Sequence, residues 1–244
     1  MDDNQPTTHP WIEQAASLFG VTLTAEQTEQ FDVYARELAV WNENINLTAI
    51  VEPEAVRLRH FLDSLSLVKV AKPYAGMRLI DVGTGAGFPG LPLKIAFPDI
   101  HVTLLEATGK KLTFLDHIIK LLGLTNVETL HARAEEAGQM RGQRATYDVV
   151  VARSVARMPV LAEYLIPLAK VGGRCIAMKG ESAASETATA KRALHLLGGR
   201  LAGIEPVQLP GVADEHYLVV IEKVNPTPGA YPRKPGAPTQ KPLS

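Results

Sequence analysis

One cysteine in 244 residues, Cys175, leaves no partner for an intramolecular disulfide and no basis for a cysteine-rich zinc cage, and no metal site is expected. Charge of one sign is lacking too. With 25 Lys and Arg against 26 Asp and Glu, the whole-chain field gives no support for nucleic-acid binding, so any such claim must rest on local features. Nowhere do about eighteen apolar residues run together, the minimum for a membrane-spanning helix. Asp2 and Asp3 stand where an export signal carries basic residues, so export is not expected and the cytoplasm is the expected compartment. No internal repeat is visible. Against these absences stand 46% hydrophobic and 21% charged residues, ordinary values for a globular chain long enough for one large domain with a modest appendage.

Three segments differ in pattern, 1–72, 73–224 and 225–244. Apolar residues from Pro10 to Lys72 recur at helical spacing, with Phe31, Tyr34, Leu38 and Trp41 on one stripe. Thr24 followed by Gln27 predicts a capping box, residues 42–50 break the pattern, and a further helix begins near Pro53. That helix is expected to bury Leu58, Phe61, Leu62, Leu65 and Val68 and to turn Arg57, His60 and Ser64 the other way. From Arg78 onward short apolar runs alternate with helical stretches, the pattern of a mostly parallel α/β sheet. Strands are expected near 78–82, 101–106, 126–131, 147–152, 173–178, 202–209 and 216–223. Pro210-Gly211 leaves no room for a helix between the last two, which should therefore pair antiparallel. The tail after Val224, with six prolines in twenty residues, reads as extended or mobile.

The strongest local signal is Leu79-Ile80-Asp81-Val82-Gly83-Thr84-Gly85-Ala86-Gly87-Phe88-Pro89-Gly90, a short strand running into a glycine cluster and then a helix. Glycines let the backbone approach a ligand closely, and free helix amides supply donors. Gly85, Gly87 and Gly90 spell the G-x-G-x-x-G of dinucleotide sites, but Asp81 at the strand end would repel a pyrophosphate. A cationic ligand such as S-adenosylmethionine suits it better. Glu106, ending the second strand about twenty residues on, can accept from ribose hydroxyls or stand as a solvated acid. By position Ala134 and Glu135 would flank an adenine.

Several stretches resemble one family closely: Trp41-Asn42 with Asn46-Leu47-Thr48-Ala49-Ile50, His60-Phe61-Leu62-Asp63-Ser64-Leu65, the loop from Asp81 to Gly90, Ala134-Glu135, Val151-Ala152-Arg153-Ser154-Val155-Ala156, Lys179-Gly180, and Tyr231-Pro232-Arg233-Lys234-Pro235-Gly236. In these the chain is similar to the bacterial 16S ribosomal RNA guanine-N7 methyltransferases of the RsmG type. The resemblance implies a Rossmann-like class I methyltransferase fold, with a seven-stranded, mostly parallel sheet whose last strand is antiparallel, behind an N-terminal helical extension. It implies S-adenosylmethionine as cofactor, contacted by residues matching Gly83, Phe88, Ala134, Glu135 and Arg153, to which the residue reading adds Asp81, Gly85, Gly87 and Glu106. It also implies a substrate guanine, position 527 in the 530 loop of the RNA near the decoding site. Expected partners are 16S ribosomal RNA or the small-subunit particle, with no membrane, and the chain is expected to be a monomer.

Guanine N7 carries a lone pair and no proton, so its methylation needs alignment more than a general base. Arg153, Lys179 and His60 are the candidates for catalysis. Asn46, Arg57, His60, Ser64, Lys179, Arg233 and Lys234 are candidates for RNA contact. For several of these a second reading stands beside the first. Phe88 can simply pack in the core, Arg153 can form a surface salt bridge, His60 can hold the 42–50 loop, and the tail can be solvated. Cys175 lies mid-strand among apolar residues and reads as a buried inert thiol, against the pyrimidine-C5 chemistry that uses cysteine. A methyltransferase for a small molecule or protein, and an NAD-binding oxidoreductase, remain the competing readings.

Overall fold

A computed structural model describes residues 9–243, so Asp2 and Asp3 lie outside the described residues. Helix α1 (Pro10–Phe19) is followed by α2 (Ala25–Asn42), which starts with the capping box expected: Gln27 N donates to Thr24 Oγ1 at 3.2 Å and Thr24 N to Gln27 Oε1 at 2.8 Å. The 42–50 loop then leads to a helix that runs through Pro53–Val56, a π-helical stretch Arg57–Leu62 and a last turn Asp63–Leu65. That stretch overturns one expectation. A π-turn holds more residues than an α-turn, so the phase of the helix shifts part-way along. His60, Asp63 and Ser64 therefore join Phe61, Leu62 and Leu65 among the buried residues, Leu58 is only half-buried, and it is Arg59 that reaches solvent.

The sheet has seven strands: β1 (Arg78–Val82), β2 (His101–Glu106), β3 (Val127–His131), β4 (Tyr147–Arg153), β5 (Ala169–Lys179), β6 (Gly199–Val207) and β7 (His216–Lys223), in the order β3-β2-β1-β4-β5-β7-β6. All seven fall where the apolar runs place them, with β5 and β6 beginning earlier than expected. β7 inserts antiparallel between β5 and β6. The consequence is geometric: β4 and β5 bring their ends, Arg153 and Lys179, to the rim where β7 brings its beginning, with Lys179 in register with Tyr217 and His216 next to it.

The N-terminal helices share one hydrophobic core with the sheet and the helices Gly90–Ala96 and Gly109–Leu121. Through that core runs a chain of aromatic contacts, Trp11 to Phe31 at 5.0 Å, Phe31 to Phe61 at 4.9 Å and Tyr34 to Phe88 at 5.3 Å, which ends at the glycine loop. The opposite face is covered by Met158–Leu165 and Lys191–Leu197.

The tail corrects a second expectation. Residues 225–243 lie docked on the body, because polar side chains there satisfy backbone carbonyls that a proline-rich segment leaves without partners. Arg144 donates to the carbonyls of Tyr231 (2.6 Å) and Thr227 (2.9 Å), and Gln139 to that of Pro232 (2.8 Å). Arg233 forks onto the fully buried Glu163, and Gly236 N donates to Glu135 Oε1 at 2.9 Å. No helix among the described residues is long and apolar enough to cross a membrane.

Candidate cofactor and substrate cleft

Open α/β sheets bind ligands beyond the carboxyl ends of their strands, at the point where the strand order reverses. Here that point lies between β1 and β4, and a cleft of about 590 Å³ opens beside it. Gly83, Gly85, Phe88 and Arg153 border it, together with Thr48 and Ile50 of the 42–50 loop, Lys179 and His216.

Asp81, at the end of β1, is fully buried beneath the glycine loop. Its Oδ2 accepts from Thr84 Oγ1 at 2.6 Å and from Gly90 N at 2.8 Å, so one carboxylate oxygen ties the two ends of the loop together. Its Oδ1 is buried without any partner. Burial raises the carboxyl to about pKa 6, against the opposing pull of those two hydrogen bonds and of Arg153. A buried acceptor without a donor is unusual. A ligand ammonium, or a water it orders, would supply what Oδ1 lacks, so the residues present fit a cationic cofactor. Glu106 receives Gly85 N at 3.0 Å on one oxygen and Thr108 N at 2.9 Å on the other, and each oxygen keeps a lone pair free for a ribose hydroxyl.

The glycines divide by task. In front of Gly85 a Cβ would meet nothing within 4 Å, so that side of the loop is open. Gly87 is turned inward, where a Cβ would come within 2.5 Å of Leu91 Cδ1 and 2.7 Å of Tyr34 Oη. It is a packing glycine that lets Tyr34 reach the carbonyl of Ala86 at 2.5 Å.

Arg153 is the centre of the wall. Its guanidinium lies 5.1 Å from the Phe88 ring centroid, donates to Asp63 Oδ2 at 3.2 Å and to the carbonyl of Arg59 at 3.0 Å, and stands 3.1 Å from His60 Nδ1. The same Nδ1 also lies 3.1 Å from the carbonyl of Arg59, and Nε2 lies 2.8 Å from Thr48 Oγ1, so both ring nitrogens are engaged within the wall. Burial, with Arg153 beside it, drives His60 down to about pKa 4, so the ring is neutral near pH 7. His60 stacks on Phe88 at 4.4 Å and anchors the 42–50 loop through Thr48.

The expected cofactor residues are thus in two places. Gly83, Gly85, Phe88 and Arg153 border the cleft, while Asp81, Gly87, Glu106, Ala134 and Glu135 do not. Ala134 begins a short helix after β3, and the Glu135 carboxylate is occupied by the tail. Of the RNA candidates, Asn46 and Lys234 are exposed. Lys179 borders the cleft but is held by Glu186 at 2.7 Å and by the Ala156 carbonyl. Arg57 is half-buried against Glu54 and Asp32, Ser64 is fully buried on the His60 carbonyl, and Arg233 is held by Glu163. These last three are therefore placed as structural partners, and no free polar face joins Arg57, His60 and Ser64. Residue reading missed His216 and Arg59 and treated Asp63 only as a neighbour. The antiparallel last strand was the available signal for His216, since it implies that β7 begins at the rim.

Cys175 is fully buried in β5 and burial pushes its thiol up to about pKa 12. Cys175→Ala is expected to leave methyl transfer within about twofold and to cost on the order of 1 kcal/mol of stability. Loss of turnover in a folded variant, measured by methyl incorporation, would mean that the thiol takes part.

A β1 glycine loop with a buried acid, an acidic β2 end and an antiparallel β7 define the S-adenosylmethionine-dependent methyltransferase class. Two solved structures share the fold: TrmN from Thermus thermophilus, with a TM-score of 0.53 and 23% identity over 67% of this chain and 48% of that one, and a SAM-dependent methyltransferase from Aquifex aeolicus, at 0.53 and 18% over 71% and 94%. The family described as rRNA small subunit methyltransferase G, GidB, matches residues 27–212. Ribosomal RNA small subunit methyltransferase G of Desulforamulus reducens is 46% identical over 96% of this chain and 97% of its own length. That of Chloroflexus aggregans is 48% identical over 94% and 96%. The chain belongs to the rRNA small subunit methyltransferase G family.

Proposed function

We propose that this chain, as a cytoplasmic monomer, transfers a methyl group from S-adenosylmethionine to N7 of a guanine in 16S ribosomal RNA, at position 527 in the 530 loop. The observation that carries the reading is that the glycine loop and Arg153 share one cleft with Thr48, Ile50, Lys179 and His216. The glycine loop suits the cofactor, and the remaining lining leaves room for a base. When bound, the cofactor supplies an electrophilic methyl on a sulfonium. Gly83 and Gly85 would let it approach the backbone, Glu106 would accept from its ribose, and Asp81, buried beneath the loop, would favour its positive charge from behind the backbone. Phe88, pinned between Tyr34, His60 and Arg153, gives the cleft a rigid aromatic floor. N7 attacks with its own lone pair, so the chain's task is to hold the base in line and keep water out. The target must be extruded from its stack or sit in a loop, since a base within a helix cannot enter such a cleft.

The test is to map methylated bases by mass spectrometry in 16S RNA from a strain lacking the gene and from its complemented control. A single guanine N7 methyl should vanish and return. An unchanged modification pattern would contradict the proposal.

A further inference from the structure

Asp63 is almost completely buried, yet it touches two basic side chains that border the cleft. Oδ2 accepts from Arg153 Nη1 at 3.2 Å, and Oδ1 lies 3.1 Å from His216 Nδ1. Arg153 comes from the end of β4 and His216 from the start of β7, two strands separated in the sheet by β5, and Asp63 itself comes from the helix of residues 53–65. A buried carboxylate held by two partners from two strands fixes the spacing between them, because either partner can move away only by leaving its own oxygen of that carboxylate without a donor.

We propose that Asp63 is the positioning residue of this cleft: it holds Arg153 toward the glycine loop and fixes the His216 imidazole at the rim, where it donates to an RNA phosphate or a base carbonyl. The substrate half of this proposal rests on the reading that the chain acts on RNA.

Charge gives His216 its part. The hydrogen bond from Asp63 is the largest influence and raises the imidazole above its usual 6.5, helped by the charges of Asp63 and Asp214 and opposed by burial and by Arg59. The groups around it are Asp63 and Arg59 on the helix, Asp214 and Glu215 in the preceding loop, Tyr217 next in β7, and Lys179 across the β5 register. Arg59 is itself paired with Asp214 at 3.0 Å, both side chains being largely exposed. Glu215 is taken up by the Tyr217 hydroxyl at 2.8 Å. His60 is neutral over this range and does not compete. The sign follows from the direction: His216 is charged below its raised pKa, so its contribution to RNA affinity is present at lower pH and fades as pH rises through that value.

Asp63→Asn keeps the size of the side chain and removes its charge. In the full chain, affinity for S-adenosylhomocysteine should fall by about tenfold, the scale of one charge-assisted hydrogen bond. The NMR titration midpoint of the His216 imidazole, assigned by its absence in His216→Gln, should drop toward 6.5 or below. The pH at which binding of a 16S RNA transcript weakens should move the same way. His216→Gln leaves the Asp63–Arg153 pair intact, so it should keep S-adenosylhomocysteine affinity within about twofold while losing the pH dependence of RNA binding. A merely structural acid would lower stability and move the imidazole midpoint while leaving cofactor affinity and the pH at which RNA binding weakens unchanged, and that result would overturn the proposal. An unchanged midpoint and unchanged cofactor affinity in Asp63→Asn would overturn the proposal. A wild-type chain that fails to bind the transcript would instead overturn the RNA reading, and the cofactor and imidazole measurements would still decide the role of Asp63.

Discussion

Arg233→Ala should lower the melting temperature by roughly 6–12 °C, a larger effect than its place in a proline-rich tail would suggest. Glu163 is wholly inside the protein, and the Arg233 fork is its charged partner, reinforced by the Arg233 backbone amide at 2.8 Å. Breaking such a pair from one side strands a buried charge at a cost of about 3–5 kcal/mol, and Arg233's partial exposure argues for the lower end of that range. A chain of this size shifts by about 2–4 °C for each kcal/mol. Adding Glu163→Gln removes the stranded charge and should restore part of the loss. Because Gly236 holds Glu135, release of the tail should also weaken cofactor binding. Thermal unfolding followed by circular dichroism checks this, and a shift under about 2 °C would show that the docked tail contributes little.

Gly83→Val and Gly85→Val should each reduce cofactor affinity by more than about tenfold, for different reasons that a melting curve separates. Gly83 has φ +69° and Gly85 φ +61°, a backbone region that costs an L-residue about 1–2 kcal/mol. At Gly83 the new Cβ would also stand 2.8 Å from Val155 Cγ2 and push on the segment that carries Arg153. That variant should lose both stability and affinity. At Gly85 the side chain would enter open space, so stability should fall only by the backbone strain while the ligand's place is taken. Calorimetric titration alongside thermal melting reads both. Normal affinity in Gly85→Val would mean that the ligand lies elsewhere.

What could be read from the sequence was what local chemistry decides. The Thr24–Gln27 cap, the helix start at Pro53, the seven apolar runs and the antiparallel final pair each follow from spacing or turn chemistry within a few residues. The glycine loop and its buried acid were legible for the same reason. Long-range pairing was not. Nothing near Arg233 reveals that it pairs with Glu163, seventy positions earlier, so the basic tail read as an RNA contact or a solvated segment when its arginine straps it to the body. The π-helical stretch was hidden as well, because helical periodicity assumes a constant turn, and one wide turn placed Ser64 inside and Arg59 outside. His216 became a cleft residue only through the order and direction of β5 and β7.

The whole reading depends on a sulfonium cofactor, and not a dinucleotide, lying against the turn that Asp81 ties together. Isothermal titration of the full chain with S-adenosylhomocysteine and, separately, with NAD tests this most directly. Saturable binding of one S-adenosylhomocysteine per chain and no heat from NAD are expected; binding of NAD, or no response to S-adenosylhomocysteine in a folded chain, would contradict a sulfonium site.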